Sequence, residues 1–362
     1  MKRVGILTFS NTVNYGASLQ AYALRSVIES LGCECEILNY SNRELDERET
    51  GIRFTLSPSG VARYFLRSGF ERRRLDSFAR FAEHNLNRTG KLDKRALVAE
   101  AKALDHVFIG SDQVFNPRVN GHDSTFFGEG IDKVTPLSAY AASLGDATVE
   151  SIEACDKDFA KRLASFVGLS VRESNSLTVL REVGLDSTCM PDPTLLLAED
   201  DWAAISSEEG LTSLPASYVL LYTLNSEKKL LDKAFEIAER INVPIVCLHY
   251  NTKKFKGVIN MRDIGPGAFL TLMRNAAFVC TDSFHGACFS FNFNKPFVVK
   301  TSDAAVQSNV RITDFLAHYQ IEGSLLDDSS PESPKVDYGQ ANSILACDRG
   351  AAGAYIARCL GL

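Results

Sequence analysis

VGILTFSNTVNYGASLQAYALRSVIESLGCECEILNY, residues 4–40, is the stretch whose reading decides the fold. It opens on a short apolar run of strand type, Val4 to Phe9, and crosses a polar loop into a helix that runs to Leu31. Ala17, Ala21, Leu24, Ile28 and Leu31 fall on one face of that helix. Gly32 stands where helices stop, and Glu36 to Tyr40 reads as a second strand. A strand, a crossover helix and a strand imply a buried parallel sheet.

The same alternation continues downstream. HVFIG (106–110), LSAYAA (137–142) and VGLSVRE (167–173) read as strands, and SNSLTVLREVG as a short helix with Ser174 near its cap. CMPDPTLLL carries two prolines and leads out of the sheet. A polar, turn-rich stretch from Ala198 to Pro215 marks a domain boundary. A second set then begins, with YVLLYTL (218–224), PIVCLH (244–249), GVIN (257–260), AFVCTD (277–282) and PFVVK (296–300) as strands. The expected architecture is α/β: two Rossmann-like doubly wound domains, 1–200 and 201–362, facing a central cleft. Ligands of such sheets bind beyond the carboxyl ends of the strands. The final ILACDRGAAGAYIARCLGL reads as a helix packing back on a domain.

Residues 42–95 interrupt the first domain with Arg63, Arg67, Arg72, Arg73, Arg74, Arg80 and Arg88 among aromatic residues. A basic amphipathic helix there has two readings. It could meet an anionic membrane at ~1 kcal/mol per basic residue, or its arginines could form a solvated, paired face while its aromatics pack on the N-terminal domain.

Composition narrows the function classes. With 362 residues, 45% hydrophobic and 23% charged, the chain is of ordinary globular type and long enough for two domains. A net charge of −6 gives no general pull toward nucleic acid. No apolar run approaches the ~18 residues of a membrane span. MKRVGILTFS reads as a first strand, not a signal peptide. Nine cysteines without paired spacing argue against a secreted disulfide framework and for a reducing cytoplasm. His84, His106, His122, His249 and His318 show no metal-ligand spacing, so neither metal nor cofactor is assigned.

Four segments could carry chemistry. The loop Ser10 to Ala17, with Asn14, Tyr15 and Gly16, leaves N–H groups open at a helix start, which suits an anion or a sugar. A tight turn with Asn14 as N-cap is the plainer alternative. Asp112 and Gln113 follow a strand; Asp112 could take a proton from a sugar hydroxyl or simply cap a helix. Arg172 ends another strand and could grip a carboxylate or phosphate with its guanidinium fork, or pair with Glu173. The sharpest signal is TDSFHG, 281–286: Asp282, Ser283, His285 and Gly286 lie between a strand and an apolar helix. The helix start favours an anion, and Gly286 permits close backbone approach. Histidine ordinarily exchanges a proton near neutrality, which suits a general acid. Lys300 and Arg311 follow, as further cations of the cleft or as solvated charges.

Read together, GILTFSNTVNYGASLQAYAL, HVFIGSDQVFNP, SAYAASLG, GLSVRE, MPDPTLLL, AFVCTDSFHGACFSFNFNKPF and NVRITDFL resemble the polysaccharide pyruvyl transferases, in order from residue 5 to about 316. The resemblance implies a fold similar to the B-type glycosyltransferases. It implies transfer of a pyruvyl group from phosphoenolpyruvate onto a sugar of a polysaccharide, exopolysaccharide or lipid-linked glycan precursor, closing a ketal. By position it implies catalytic or donor-binding roles for Arg172 and His285, and cleft positions for Asn14, Tyr15, Gly16, Asp112 and Gln113. Better-characterised branches carry Arg, an apolar residue and His at the last motif; here Ser283 takes the Arg position. Lys300 or Arg311 would then hold the donor's charge. The expected partners are phosphoenolpyruvate and a glycan or lipid-linked saccharide, without nucleic acid, in the cytoplasm, with peripheral contact at the inner face of the membrane if the basic insert reads that way. Two rivals share the architecture: a nucleotide-sugar-dependent glycosyltransferase and a non-catalytic glycan-binding relative.

Overall fold

The computed structural model describes residues 1–42, 44–45, 58–212, 214–250, 254–301, 309–327 and 336–362, with side chains from Gly69 onward in the helix that begins at Pro58. The chain forms two compact α/β units. Unit 1 comprises Met1–Gly51, Ala82–Leu197 and Ile344–Leu362; unit 2 comprises Ile52–Phe81 and Ala198–Ser343.

Unit 1 holds a six-stranded parallel sheet of β1 (Arg3–Leu7), β2 (Glu34–Ile37), β3 (His106–Ile109), β4 (Leu137–Ala142), β5 (Gly168–Val171) and β6 (Thr188–Cys189), in the order β2-β1-β3-β4-β5-β6. Every residue of β3 and β4 is buried, as expected where helices cover both faces. From β1 the chain winds outward to β2, then returns and continues from β3 the other way. The β1/β3 junction is therefore the switch point where loops part and ligands enter.

Unit 2 repeats the plan with β7 (Val219–Thr223), β8 (Ile245–His249), β9 (Ile259–Met261), β10 (Phe278–Thr281) and β11 (Phe297–Val299), in the parallel order β11-β10-β7-β8-β9. Its switch point is the β7/β10 junction.

Three details depart from the sequence reading. The second strand starts earlier than residues 36–40, because Arg3 to Ile6 pair with Glu34 to Ile37, while Tyr40 bridges to Leu92. The final helix, Tyr338–Leu360, does not stay in the second domain. From Ile344 it belongs to unit 1, where the Tyr355 hydroxyl donates to Ala139 O at 2.8 Å and Arg349 donates to the carbonyls of Leu195 and Leu197.

The third concerns the basic insert. Its helix, Pro58–Asn85, gives residues 58–81 to unit 2, whereas the sequence reading counted the whole insert with the N-terminal domain. Phe70, Phe78 and Phe81 are buried, and Arg262 lies over the Phe70 ring at 4.5 Å. Arg73 pairs with Asp263 at 2.6 Å, Arg80 pairs with Glu209, and Arg74 stacks on Tyr250. Arg63 and Arg67 lie outside the described side chains. Among the described residues no helix is long and apolar enough to cross a membrane.

Candidate active site

In unit 1 the switch point is built by hydrogen bonds that tie the β1 loop to the β3 loop. Gln20, on the helix Tyr15–Ser30, donates from Nε2 to Thr8 Oγ1 at 2.9 Å and accepts from Ser111 N–H at 3.1 Å. Thr8 in turn donates to Ser111 O at 3.0 Å. Gln20 is wholly buried, and nothing in its spacing had marked it. Asn14 is the N-cap, its side chain accepting from Ala17 N–H at 3.3 Å, and Tyr15 and Gly16 are buried in the first turn behind it.

The β3 loop is held close to β4. Gly110 has φ +118°, and a Cβ there would collide with the Tyr140 carbonyl oxygen, so the position demands glycine. Asp112 follows with φ +69°. Its carbonyl accepts from Val114 N–H and Ser143 N–H, and its carboxylate accepts from Gln113 N–H at 2.8 Å. The Gln113 side chain accepts from Asn116 at 3.2 Å.

Arg172 reaches the same place from the end of β5, but in company. Its Nη1 donates to Asp192 at 2.7 Å, its Nε lies 3.6 Å from Glu173 and its Nη2 lies 3.7 Å from Asp112. The side chain is 2% exposed. Burial alone would lower its proton affinity; the carboxylates of Asp192, Asp112 and Glu173 outweigh that and hold it above the ordinary value. Each carboxylate is fixed in turn: Asp192 accepts from Thr194 N–H and its hydroxyl, and Glu173 from the Ser176 hydroxyl. Asp192, in the Pro-Asp-Pro segment, is a member of this cluster that local pattern did not reveal.

In unit 2 the switch point is closed by Asp282. Its carboxylate accepts from the Thr223 hydroxyl at 3.0 Å, Leu224 N–H at 2.7 Å and Asn225 N–H at 2.8 Å, joining the β10 end to the β7 loop. Ser283 is the N-cap of the helix Phe284–Asn292 and accepts from Gly286 N–H at 3.3 Å. A Cβ on Gly286 would collide with Thr281 Oγ1, which itself accepts from Ser283 N–H. His285, buried in the first turn, rests edge-on against Phe284 at 5.3 Å. Arg311 also approaches Phe284, its guanidinium 5.9 Å from the ring centre.

Lys300, at the end of the neighbouring β11, is buried; its Nζ donates to Thr301 O at 2.7 Å and lies 3.8 Å from the Glu227 carboxylate. Tyr222, on β7, has the hydroxyls of Tyr250 and Ser283 as neighbours, and burial pushes its own up to about 12. Arg74 lies over the Tyr250 ring at 4.7 Å, with Nε and Nη1 buried and, among the described residues, unmatched by a hydrogen-bond acceptor. The insert thus brings a guanidinium to the carboxyl end of β8, next to β7. Its sequence signal was only one arginine among many.

Each unit therefore presents polar side chains and a helix start at the switch point of a parallel sheet. Asn14, Tyr15, Gly16, Asp112, Gln113 and Arg172 gather in unit 1. Asp282, Ser283, His285, Gly286, Lys300 and Arg311 gather in unit 2. Such a site can hold anions and sugars and move protons with a carboxylate or an imidazole.

Comparison with known proteins agrees with this architecture. UDP-GlcNAc 2-epimerase from Methanocaldococcus jannaschii is similar in structure with a TM-score of 0.51 at 11% identity, covering 96% of this chain and 92% of that one. UDP-GlcNAc 2-epimerase from Neisseria meningitidis bound to UDP-GlcNAc gives a TM-score of 0.50 at 11% identity, covering 99% of each chain. At such identity the likeness is one of fold, that of the B-type glycosyltransferases with two Rossmann-like domains. No curated protein matches the sequence. The profile of the polysaccharide pyruvyl transferases matches residues 14–303, spanning most of both sheets and every candidate residue except Arg311; the chain belongs to that family.

Proposed function

We propose that this protein moves the pyruvyl group of phosphoenolpyruvate onto two hydroxyls of one sugar in a glycan precursor, forming a ketal and releasing phosphate. The observation that carries the reading is the family match across residues 14–303. The polar residues at both switch points are of the kinds this chemistry needs.

In this reading unit 2 takes the donor. Its phosphate and carboxylate meet the helix start at His285 and Gly286, with Lys300, Arg311 and Arg74 as cations in place of an arginine at Ser283. His285 gives a proton to the methylene carbon, so the double bond becomes a methyl group and C2 an oxocarbenium-like centre. Unit 1 takes the acceptor, with Asn14, Tyr15, Gly16 and Gln113 binding the sugar. One hydroxyl oxygen bonds to C2 and passes its proton to Asp112. The C2–O bond to phosphate breaks with its electron pair leaving on phosphate. The second hydroxyl then bonds to C2, its proton passing to the departing phosphate. Arg172 acts as a positioning residue, its Nη2 3.7 Å from the Asp112 carboxylate. Fixed charges and N–H donors arranged before reaction supply the main stabilisation.

A ligand that binds only the native state raises its stability, by about 2.7 kcal/mol at one hundred times its Kd. Phosphoenolpyruvate at millimolar concentration is therefore expected to raise the melting temperature. A shift with nucleotide sugars and none with phosphoenolpyruvate would replace this reading with a glycosyltransferase.

A further inference from the structure

Arg172 is enclosed by carboxylates, so it brings no surplus positive charge to the unit 1 switch point. Arg88 does. Residues 87–89 lie alongside the end of β2: Ile37 N–H donates to Asn87 O and Thr89 N–H to Ile37 O, both at 3.0 Å. This fixes the Arg88 backbone two strand ends from the β3 loop. Its half-buried guanidinium crosses to β1 and donates from Nη1 to Ser10 O at 3.0 Å. Among the described residues no carboxylate lies within ion-pair distance of it. Burial lowers its proton affinity with no acid to offset the effect.

Ser10 adds a second unmet demand. It is 3% exposed, and its hydroxyl has no hydrogen-bond partner among the described residues. Four residues on, Asn14 starts a helix of 16 residues whose first turn contains no acidic side chain. A half-buried cation without a counter-ion and a buried hydroxyl without a partner each cost free energy. Here they are adjacent, one resting on the other's carbonyl, at the switch point of the sheet.

We infer that Arg88, the Ser10 hydroxyl and the first turn of the helix Tyr15–Ser30 form a phosphate subsite in unit 1. Its ligand is a phosphate ester, which a guanidinium and a hydroxyl recognise together. The acceptor, which the proposed function assigns to unit 1, carries that group where its sugar is joined to a lipid carrier by diphosphate; phosphoenolpyruvate, assigned there to unit 2, is the other source of a phosphate ester. To that extent the inference rests on the proposed function.

The test is a set of calorimetric titrations on the full chain, wild type and the Arg88→Gln, Arg88→Lys and Ser10→Ala variants. The probes are phosphoenolpyruvate, a short-chain prenyl diphosphate sugar, inorganic phosphate and the free sugar. Losing a charged hydrogen bond predicts that Arg88→Gln weakens a phosphate-bearing probe ~10- to 100-fold, with part recovered in Arg88→Lys, a smaller loss in Ser10→Ala and no change for the free sugar. Whichever ester loses affinity is the occupant. Loss of diphosphate sugar or inorganic phosphate binding alone would uphold the subsite even if phosphoenolpyruvate proved not to be the donor. Unchanged affinity for all phosphate probes in Arg88→Gln, or no phosphate binding to the wild type, overturns it. Should Arg88→Gln fail to fold, the same comparison is made with Arg88→Lys and Ser10→Ala, and unchanged affinities in both overturn it.

Discussion

Replacing His285 with alanine is expected to lower kcat by ~100- to 10,000-fold while leaving the protein folded, the range set by loss of general acid–base help. The imidazole occupies the first turn of the helix Phe284–Asn292, and its neighbours hold their places without it. Ser283 caps the helix through Gly286 N–H, and Asp282 ties the β10 end to Thr223, Leu224 and Asn225. Removing the ring leaves these bonds in place. His285→Gln keeps a hydrogen-bond donor but cannot exchange a proton near neutrality, so it should be nearly as slow. Turnover is measured beside the melting temperature and phosphoenolpyruvate affinity. Near wild-type turnover in His285→Ala would make His285 structural.

Arg172→Ala should act mainly on stability, with a loss of ~3–5 kcal/mol, because removing one partner of a buried ion pair strands the others. Three carboxylates face this guanidinium, and two of them, Asp192 and Glu173, have side chains at most 1% exposed. Arg172→Lys should recover little, since an ammonium cannot address Asp192, Glu173 and Asp112 from one planar fork. Adding Asp192→Asn to Arg172→Ala should restore part of the loss by removing one stranded charge. Urea unfolding midpoints check all three. A fully stable Arg172→Ala variant with weakened phosphoenolpyruvate binding would return Arg172 to direct contact with the donor.

The contrast between these residues shows what the sequence could convey. Apolar runs report burial and helical spacing reports a face. Every strand of both sheets except β6 (Thr188–Cys189) was legible from local pattern, while the strand order that sets the switch points was not. The cap at Asn14 was legible too, because a cap acts within three residues. The Arg172 cluster was legible only in part. Glu173 is its neighbour in the chain, but Asp192 is 20 positions away and Asp112 is 60, and no periodicity relates them. Arg88 and Arg74 looked alike inside one basic stretch. Folding sends one to the end of β1 and the other to the end of β8, where neither meets a carboxylate among the described residues. The final helix was visible as a helix, yet the sheet it packs on is chosen by Tyr355 and Arg349 meeting carbonyls of unit 1.

The proposed function turns on the donor, and one measurement addresses it directly. The protein is incubated with phosphoenolpyruvate labelled with carbon-13 at C2 and a panel of glycan precursors. Released phosphate is assayed while carbon NMR follows the label. The predicted result is phosphate release only with a competent acceptor, matched mole for mole by the label's conversion to a quaternary ketal carbon. Release of nucleotide from a nucleotide sugar by the same protein, with phosphoenolpyruvate left intact across the panel, would contradict it.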